Sequence, residues 1–558
     1  MEKTGAQLVI DFLRHHNVEV VFGYPGGAIL PVYDEIFKSG IKHILVRHEQ
    51  GAIHAAEGYA KATGKVGVCI ATSGPGATNI VTGLADAKLD SVPIVAITGQ
   101  VPTALIGTDA FQEADIYGIS IPVTKYNNLV RNVDDLAGAL EEAYFIASSG
   151  RPGPALVDIP KDVQTALTSH TEFQVDPVIA RRYKALNDVD GDIDTLVKAI
   201  NEAKRPLLYV GGGAITSNAH LEVKRLAESA NIPVTMTLMG LGAFPKRHPL
   251  SLGMLGMHGT VYANQAVSNC DLLIALGARF DDRVTGKLET FASQAKIAHV
   301  DIDRAEIDKL VKVDYPIAGD LKNVLQSILS EVTYQERDEW FSQLLDWKTK
   351  HPLKYHKENG VIKPQYFLEK LDEATGGDAI LTTEVGQHQM WAAQYYHYAN
   401  PRSFLTSGGL GTMGFGFPAA IGAKFACPDR TVIAIAGDGS IQMNIQELGT
   451  VAMYGVNVKI VILNNGFLGM VRQWQEMFFD SKFSNTHFTF NPDFVKLAEA
   501  YGLKGMKITK ESEVEEGIDF ILKSDQGVIL DVMIPEEEKV FPMVPSGASI
   551  YEMIDIDD

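Results

Sequence analysis

Short runs of consecutive apolar residues recur along the chain, and each gives way to glycine, proline or a small polar residue. In the first part they fall at Glu19–Gly23, Ile44–Val46, Val66–Ala71 and Ile94–Thr98, and "PALVDIP" closes the region near Pro160. Stretches with helical spacing lie between them. Unbroken apolar runs suit strands buried on both faces, and strands alternating with helices predict parallel α/β units. The polar connector "TSHTEFQVDPVIARRY" is expected to be irregular. A second α/β region opens at "RPLLYVGGG", continues through "DLLIALGARF" and "KIAHVDID", and ends about Val332. The charged helical stretch "TYQERDEWFSQLLDWKTKH" leads into a third, with "DAILTTEVG", "RTVIAIAGDGS", "VNVKIVILNNG" and "GVILDVMIP". The expected fold class is α/β, with three doubly wound parallel-sheet domains at 1–165, 190–332 and 365–558. The first and third share a general plan without a strict repeat. Ligands of such sheets bind at strand carboxyl ends, and all three regions carry candidate turns there.

Length changes this picture little: 558 residues make about three or four domains of ordinary size. A hydrophobic content of 46% with 21% charged residues is that of an ordinary globular chain. Net charge is −20 with no Lys/Arg cluster, so no nucleic-acid partner is expected. Cys69, Cys270 and Cys427 stand far apart without a C-x-x-C, which argues for a reducing compartment. Cys69, inside "VGVCIAT", is expected as a buried thiol. The N-terminus has neither signal- nor transit-peptide character, and no apolar stretch is long enough to span a bilayer. A cytoplasmic protein without a membrane partner is expected.

The strongest chemical signal is "GDGSIQMNIQELGTVAMYGVNVKIVILNNGF", residues 437–467. One buried strand should end at Gly437-Asp438-Gly439-Ser440, an amphipathic helix follow from near Ser440, and the next strand end at Asn464-Asn465. Adjacent parallel strands would bring Asp438 and Asn465 to one sheet edge. A carboxylate and an amide oxygen suit Mg²⁺, which takes few protein oxygens and completes its shell with phosphate and water. The helix start would face an anion. Two ordinary turns are the bland alternative, and the pairing at this spacing disfavours it. A second junction is less decisive. In "ILVRHEQGA", residues 44–52, Glu49 could favour a helix start or be a buried acid placed for chemistry.

The G-D-G/N-N pair resembles the motif of thiamine diphosphate (ThDP) enzymes. That resemblance implies that Asp438, Asn465 and the Phe467 carbonyl hold Mg²⁺ against the diphosphate. It also implies that Glu49 hydrogen-bonds the aminopyrimidine, so that the cofactor acts as its own base. More widely, "VFGYPGGAILPVYD", "RHEQGA", "TSGPGATN", "GTDAFQEAD", "RPGPALVDIPKD", "ARFDDRVTG", "SGGLGTMGFGFPAAIGA" and "NNGFLGMVRQWQ" resemble the FAD-containing catalytic subunits of acetohydroxyacid synthases. The family joins a hydroxyethyl unit from pyruvate to pyruvate or 2-oxobutyrate, on the way to branched-chain amino acids.

By this resemblance Phe111, Gln112 and Lys161 belong to the reaction chamber. Met470 and Trp474 shape the acceptor pocket, and Arg283 receives the 2-oxoacid carboxylate. Gly411 contacts the pyrimidine and Met413 bends the cofactor. Further cofactor contacts are implied for Pro25, Thr72, Pro75, Asn79, Val385, Gly386, Gln387, His388, Gly437, Gly439, Ser440, Leu468 and Gly469. The middle region lacks a G-x-G-x-x-G fingerprint. Resemblance alone assigns FAD to Arg151, Gly211, Gly212, Gly213, Met257, His258, Arg279, Asp281, Arg283, Asp301 and Asp320. It further implies a homodimer or homotetramer and a possible small regulatory subunit. A catabolic acetolactate synthase without FAD, a flavin-dependent pyruvate oxidase and an inactive cofactor-binding homologue are the competing readings.

Overall fold

The computed structural model describes residues 2–557. Its first unit contains β1 (Lys3–Thr4), β2 (Val20–Gly23), β3 (Lys42–Leu45), β4 (Gly67–Ala71), β5 (Ile94–Gln100), β6 (Tyr126–Leu129), β7 (Pro154–Pro160) and β8 (Leu167–Thr168). Strands β2 to β7 form a parallel sheet in the order β3-β2-β4-β5-β7-β6, while β1 and β8 pair antiparallel. The middle unit has β9 (Pro206–Val210), β10 (Val234–Met236), β11 (Ser251–Met254), β12 (Leu272–Leu276), β13 (Lys296–Asp301) and β14 (Tyr315–Ala318), in the order β11-β10-β9-β12-β13-β14. The third has β15 (Ile380–Thr383), β16 (Phe404–Leu405), β17 (Val432–Gly437), β18 (Lys459–Asn464), β19 (Lys504–Ile508) and β20 (Val528–Met533), in the order β16-β15-β17-β18-β20-β19. Three parallel α/β sheets are therefore present, and the first and third share one strand order.

In each sheet the connections from two adjacent central strands leave in opposite directions: between β2 and β4, between β9 and β12, and between β15 and β17. Crevices open at the carboxyl ends of such pairs. They fall beside Tyr24, Pro25 and Thr72, beside Gly211 and Gly277, and beside Glu384 and Asp438. The long apolar runs become central strands buried along their whole length, as in β5 and β7. Strand β3 is caught only by its end, at Ile44–Leu45, and strands β6 and β19 are partly exposed and mixed in composition, so the apolar pattern does not announce them.

Three expectations need correction. The connector is not wholly irregular: Asp176 accepts the Val178 N–H and Pro177 opens a helix over Pro177–Lys184. The charged stretch is more than a link. Its helix, Asp338–Lys350, buries Trp340 and Leu344 in the middle core, and the Trp340 indole donates to the Pro206 carbonyl at 3.2 Å. No amphipathic helix starts at Ser440. Two short 3₁₀ turns come first, and the α-helix begins only at Leu448. Asn444 interrupts it with φ −131°, its amide donating to the Gly414 carbonyl at 2.7 Å. The turn Gly437–Ser440 therefore has no long helix dipole behind it.

The first and third units meet along two helices, Glu49–Thr63 and Gly416–Ala426. Their backbones touch. A β-carbon on Gly58 would collide with the Ala419 carbonyl, and one on Gly422 with the Ala55 carbonyl. No helix of the described residues is long and apolar enough to cross a membrane. Overpacking of this kind costs about 1–3 kcal/mol. Gly58→Ala and Gly422→Ala should each lower the thermal midpoint. Gly138→Ala, at a helical position with open space around it, should leave it unchanged or raise it. Scanning fluorimetry of the three variants checks this.

Candidate active site

In the third unit Asp438 follows directly on β17 and is almost fully buried. Its Oδ2 accepts the Asn491 amide at 2.6 Å and its Oδ1 the Asn465 backbone N–H at 3.4 Å. Burial pushes its carboxyl up to about 6, against these hydrogen bonds. Asn465 Oδ1 accepts the Phe467 N–H at 3.1 Å, and its amide reaches Gln387 Oε1 at 3.4 Å. One carboxylate, one amide oxygen and the nearby Phe467 carbonyl are all hard oxygen donors, so the set fits Mg²⁺. Asn491 was not legible in the sequence, since nothing in "FTFNPD" marks it as a neighbour of Asp438.

Around this turn the other expected residues gather. Ser440 Oγ closes it by bonding both the N–H and the carbonyl of Gly437, each at 3.2 Å. Gly386, at φ +154°, and Gly437 leave space for the His388 ring, which a β-carbon on either would approach within 3 Å. His388 is buried with no partner for Nε2, and burial lowers it to about 3, so it is neutral. The Gln387 amide donates to Gln473 Oε1 at 3.0 Å and to the Glu538 carbonyl at 2.8 Å, and Gly469 packs on its side chain. Leu468 N–H donates to the Thr486 carbonyl at 2.8 Å. Gly439 packs against Phe488 and Leu468.

In the first unit Glu49 is the first residue of the helix Glu49–Thr63 and is 9% exposed. Asn79 donates to its Oε2 at 2.9 Å. Thr72, with an unpartnered buried hydroxyl, and Pro75, which opens the short helix Pro75–Asn79, stand on the same side, and Pro25 is half-buried beyond β2. Gly74, at φ +58°, backs onto the main chain of Gln112, which itself has φ +60°. Phe111 is 88% exposed, and Lys161 is exposed at the start of Lys161–Thr165. Among the described residues no hydrogen bond or ion pair joins Glu49 to Asp438 or Asn465.

Sequence reasoning missed Glu447. This fully buried residue of the third unit accepts the N–H groups of Arg47 (2.9 Å) and His48 (3.1 Å), just ahead of Glu49. A β-carbon on Gly51 would crowd its carboxylate at 2.6 Å.

The remaining residues line one cavity of about 940 Å³. Arg151, Gly211, Gly212, Gly213, Met257, His258, Arg279, Asp281, Arg283, Asp301 and Asp320 surround its middle-unit end. Val385, Gly386, Gly411, Met413, Met470 and Trp474 surround the other. Cavities of this size admit large cofactors, and three arginines suit a diphosphate-bearing one such as FAD. Trp474 Nε1 is buried without a partner. Some of the set also has local work: Asp281 caps Arg283 N–H at 3.0 Å, and Asp320 caps Asn323 N–H at 3.1 Å. Gly211 and Gly213 are required by the close passage of Gly277.

Comparison with known proteins agrees with the two matched sheets and their crevices. Residues 3–119 match the N-terminal TPP binding domain of thiamine pyrophosphate enzymes, 193–328 their central domain and 384–532 their C-terminal TPP binding domain. The fold is thus that of the thiamine pyrophosphate-dependent enzymes. The acetolactate synthase large subunit of Parasynechococcus marenigrum is 51% identical over 562 residues, covering 99% of this chain and 91% of that one. The isozyme 2 large subunit of Escherichia coli (strain K12) is 49% identical over 551 residues, covering 99% of both. That of Corynebacterium glutamicum is 51% identical over 560 residues, 98% of this chain and 89% of its own. The chain belongs to the acetolactate synthase large-subunit family.

Glu384 links the crevice to the turn that precedes Gly416–Ala426. Fully buried, it accepts the Gly414 N–H at 2.6 Å and the Phe417 N–H at 2.9 Å. Burial raises its carboxyl to about 7, from 4.5, although these N–H groups oppose the shift. An acid whose folded pKa lies above its unfolded one contributes stability through its proton. That contribution is complete below the unfolded value and is lost as pH rises through about 7. The thermal midpoint of the wild type, taken relative to Glu384→Gln, should therefore fall as pH is raised through 7. A difference that stays flat with pH would contradict this.

Proposed function

We propose that the chain is the catalytic subunit of a biosynthetic acetohydroxyacid synthase. It would decarboxylate pyruvate and ligate the hydroxyethyl unit to pyruvate, giving 2-acetolactate, or to 2-oxobutyrate, giving 2-aceto-2-hydroxybutyrate. The observation that carries this is the pairing of a buried glutamate, at the reversal point of one sheet, with an oxygen-donor turn at that of a matching sheet, in a chain of this family. The units 1–165, 190–332 and 365–558 are proposed as the pyrimidine-binding, FAD-binding and diphosphate-binding domains.

When bound, ThDP supplies the nucleophile and the electron sink for decarboxylation. The protein residues then bind, orient and exclude water. Asp438, Asn465 and the Phe467 carbonyl would hold Mg²⁺ and so anchor the diphosphate. Glu49, fixed by Asn79 from one side and by the Glu447-held turn from the other, would place its carboxyl against the pyrimidine. Neutral His388, buried between Gly386 and Gly437, adds no charge beside the diphosphate. Arg283 would receive the 2-oxoacid carboxylate with a bidentate fork. Met470 and Trp474 give the acceptor an apolar wall, which can reward one methylene by about 1–3 kcal/mol. FAD would occupy the middle-unit end of the cavity. The protein is proposed as cytoplasmic and as a homodimer or homotetramer. A small regulatory subunit is proposed because relatives are named "large subunit".

Two measurements test the reading. Purified protein given pyruvate and 2-oxobutyrate should form acetohydroxyacids without peroxide when ThDP, Mg²⁺ and FAD are all supplied, and should lose that activity when any one of them is omitted. Glu49→Gln should still bind ThDP in calorimetry yet lose about 10²–10⁴ in carboligation rate. Full rate in that variant would refute the role of Glu49. Trp474→Leu should cut the preference for 2-oxobutyrate over pyruvate by about tenfold or more in a competition assay.

A further inference from the structure

The turn from Thr406 to Gly414 carries Gly411 and Met413, and it is held from the first unit as well as from its own. Asp90 ends the helix Val81–Asp90 with a fully buried side chain. Its carboxylate accepts the Gly408 N–H at 3.0 Å and the Gly409 N–H at 2.7 Å. The Lys61 ammonium, from the last turn of Glu49–Thr63, donates to the same carboxylate at 2.7 Å. Lys61 also donates to the Thr406 carbonyl and stands 4.7 Å from the centre of the Phe415 ring. Two side chains from two helices thus grip three backbone positions of one turn. Within the third unit the turn is braced by Gln389, which donates to Thr406 Oγ1 at 2.7 Å and to the Ser407 carbonyl at 3.1 Å. Ser407 Oγ accepts the Thr412 N–H at 2.8 Å.

Stability alone does not account for this pair. Desolvating two ions offsets most of their attraction, so apolar replacements of buried pairs are often neutral or better, while the ions fix geometry. The Lys61 ammonium is nonetheless favoured here. Burial works against the Lys61 ammonium, but Asp90, Asp86 and Glu57 outweigh it and hold the group above its ordinary value. The same burial pushes Asp86 up to about 6 and Glu57 well above the carboxylate range.

We propose that Lys61 and Asp90 are positioning residues, which set from the first unit where Gly411 and Met413 stand at the cofactor site. This rests on the reading of those two residues as ThDP contacts. The first unit would therefore serve ThDP sites from both ends of one helix: through Glu49, at a site completed by a second subunit, and through the turn held at Lys61, at the site of its own chain.

The test compares Asp90→Asn, Lys61→Met and Lys61→Arg with Lys65→Met, whose exposed pair with Glu19 lies just beyond the same helix. In Asp90→Asn and Lys61→Met, amide hydrogen exchange over 406–414 should accelerate. ThDP affinity by calorimetry should fall about tenfold or more, about 1.4 kcal/mol. Lys61→Arg should restore most of both readouts, and Lys65→Met should match the wild type. Unchanged exchange and affinity in folded Asp90→Asn would overturn the proposal. So would faster exchange with unchanged ThDP affinity, provided that Met413→Ala weakens ThDP. If Met413→Ala leaves ThDP affinity unchanged, the reading of the turn as a cofactor contact fails instead.

Discussion

The helix Glu49–Thr63 is the constraint on which the rest of the site depends. Its middle lies backbone to backbone on Gly416–Ala426, at Gly58 and Gly422, so the two matched sheets are held at a separation set by peptide groups rather than by side chains. Close-packed contacts of this kind transmit strain instead of absorbing it. Its amino end is fixed by Glu447, and its carboxyl end by Lys61 and by Arg402, whose guanidinium bonds the Lys61 carbonyl at 3.3 Å and the Ile215 carbonyl at 3.0 Å. All three units therefore meet at one helix.

Buried polar groups occur in all three units, and several of the deepest acids stand around this helix and the third crevice. Glu57, Asp86, Glu384, Glu447 and Asp438 are nearly or fully buried. A core built for stability alone would have no use for five buried acids, because each costs free energy unless it is paired or protonated. Sites where the ordinary rules of burial are broken are where function is to be sought. Here the breaches fall beside turns that resemblance ties to a cofactor.

Much of this was readable in the sequence, for identifiable reasons. Central strands such as β5 and β17 are buried on both faces, so their apolar runs are unbroken and their ends are marked by small residues. Asp438 and Asn465 could be paired because they end adjacent parallel strands. Glu49 stayed ambiguous because a helix-start acid and a buried acid look alike until the Asn79 contact is seen. Edge strands such as β6 escape the pattern because they are partly exposed along their whole length and carry polar residues such as Asn127 and Asn128. The break at Asn444 depends on a contact with Gly414, thirty positions back along the chain, and no local rule detects it. Glu447 and Asn491 were hidden for the same reason: their importance lies in what the fold brings to them.

The cavity that runs from Arg151 and Arg279 to Met413 and Trp474 is one compartment, not two. Two molecules sharing such a space are bound by reciprocity: if the first alters the affinity of the second, the second alters that of the first by the same factor. A flavin held there without electron transfer would still enter the energetics of substrate choice, as a wall whose own occupancy answers to the acceptor.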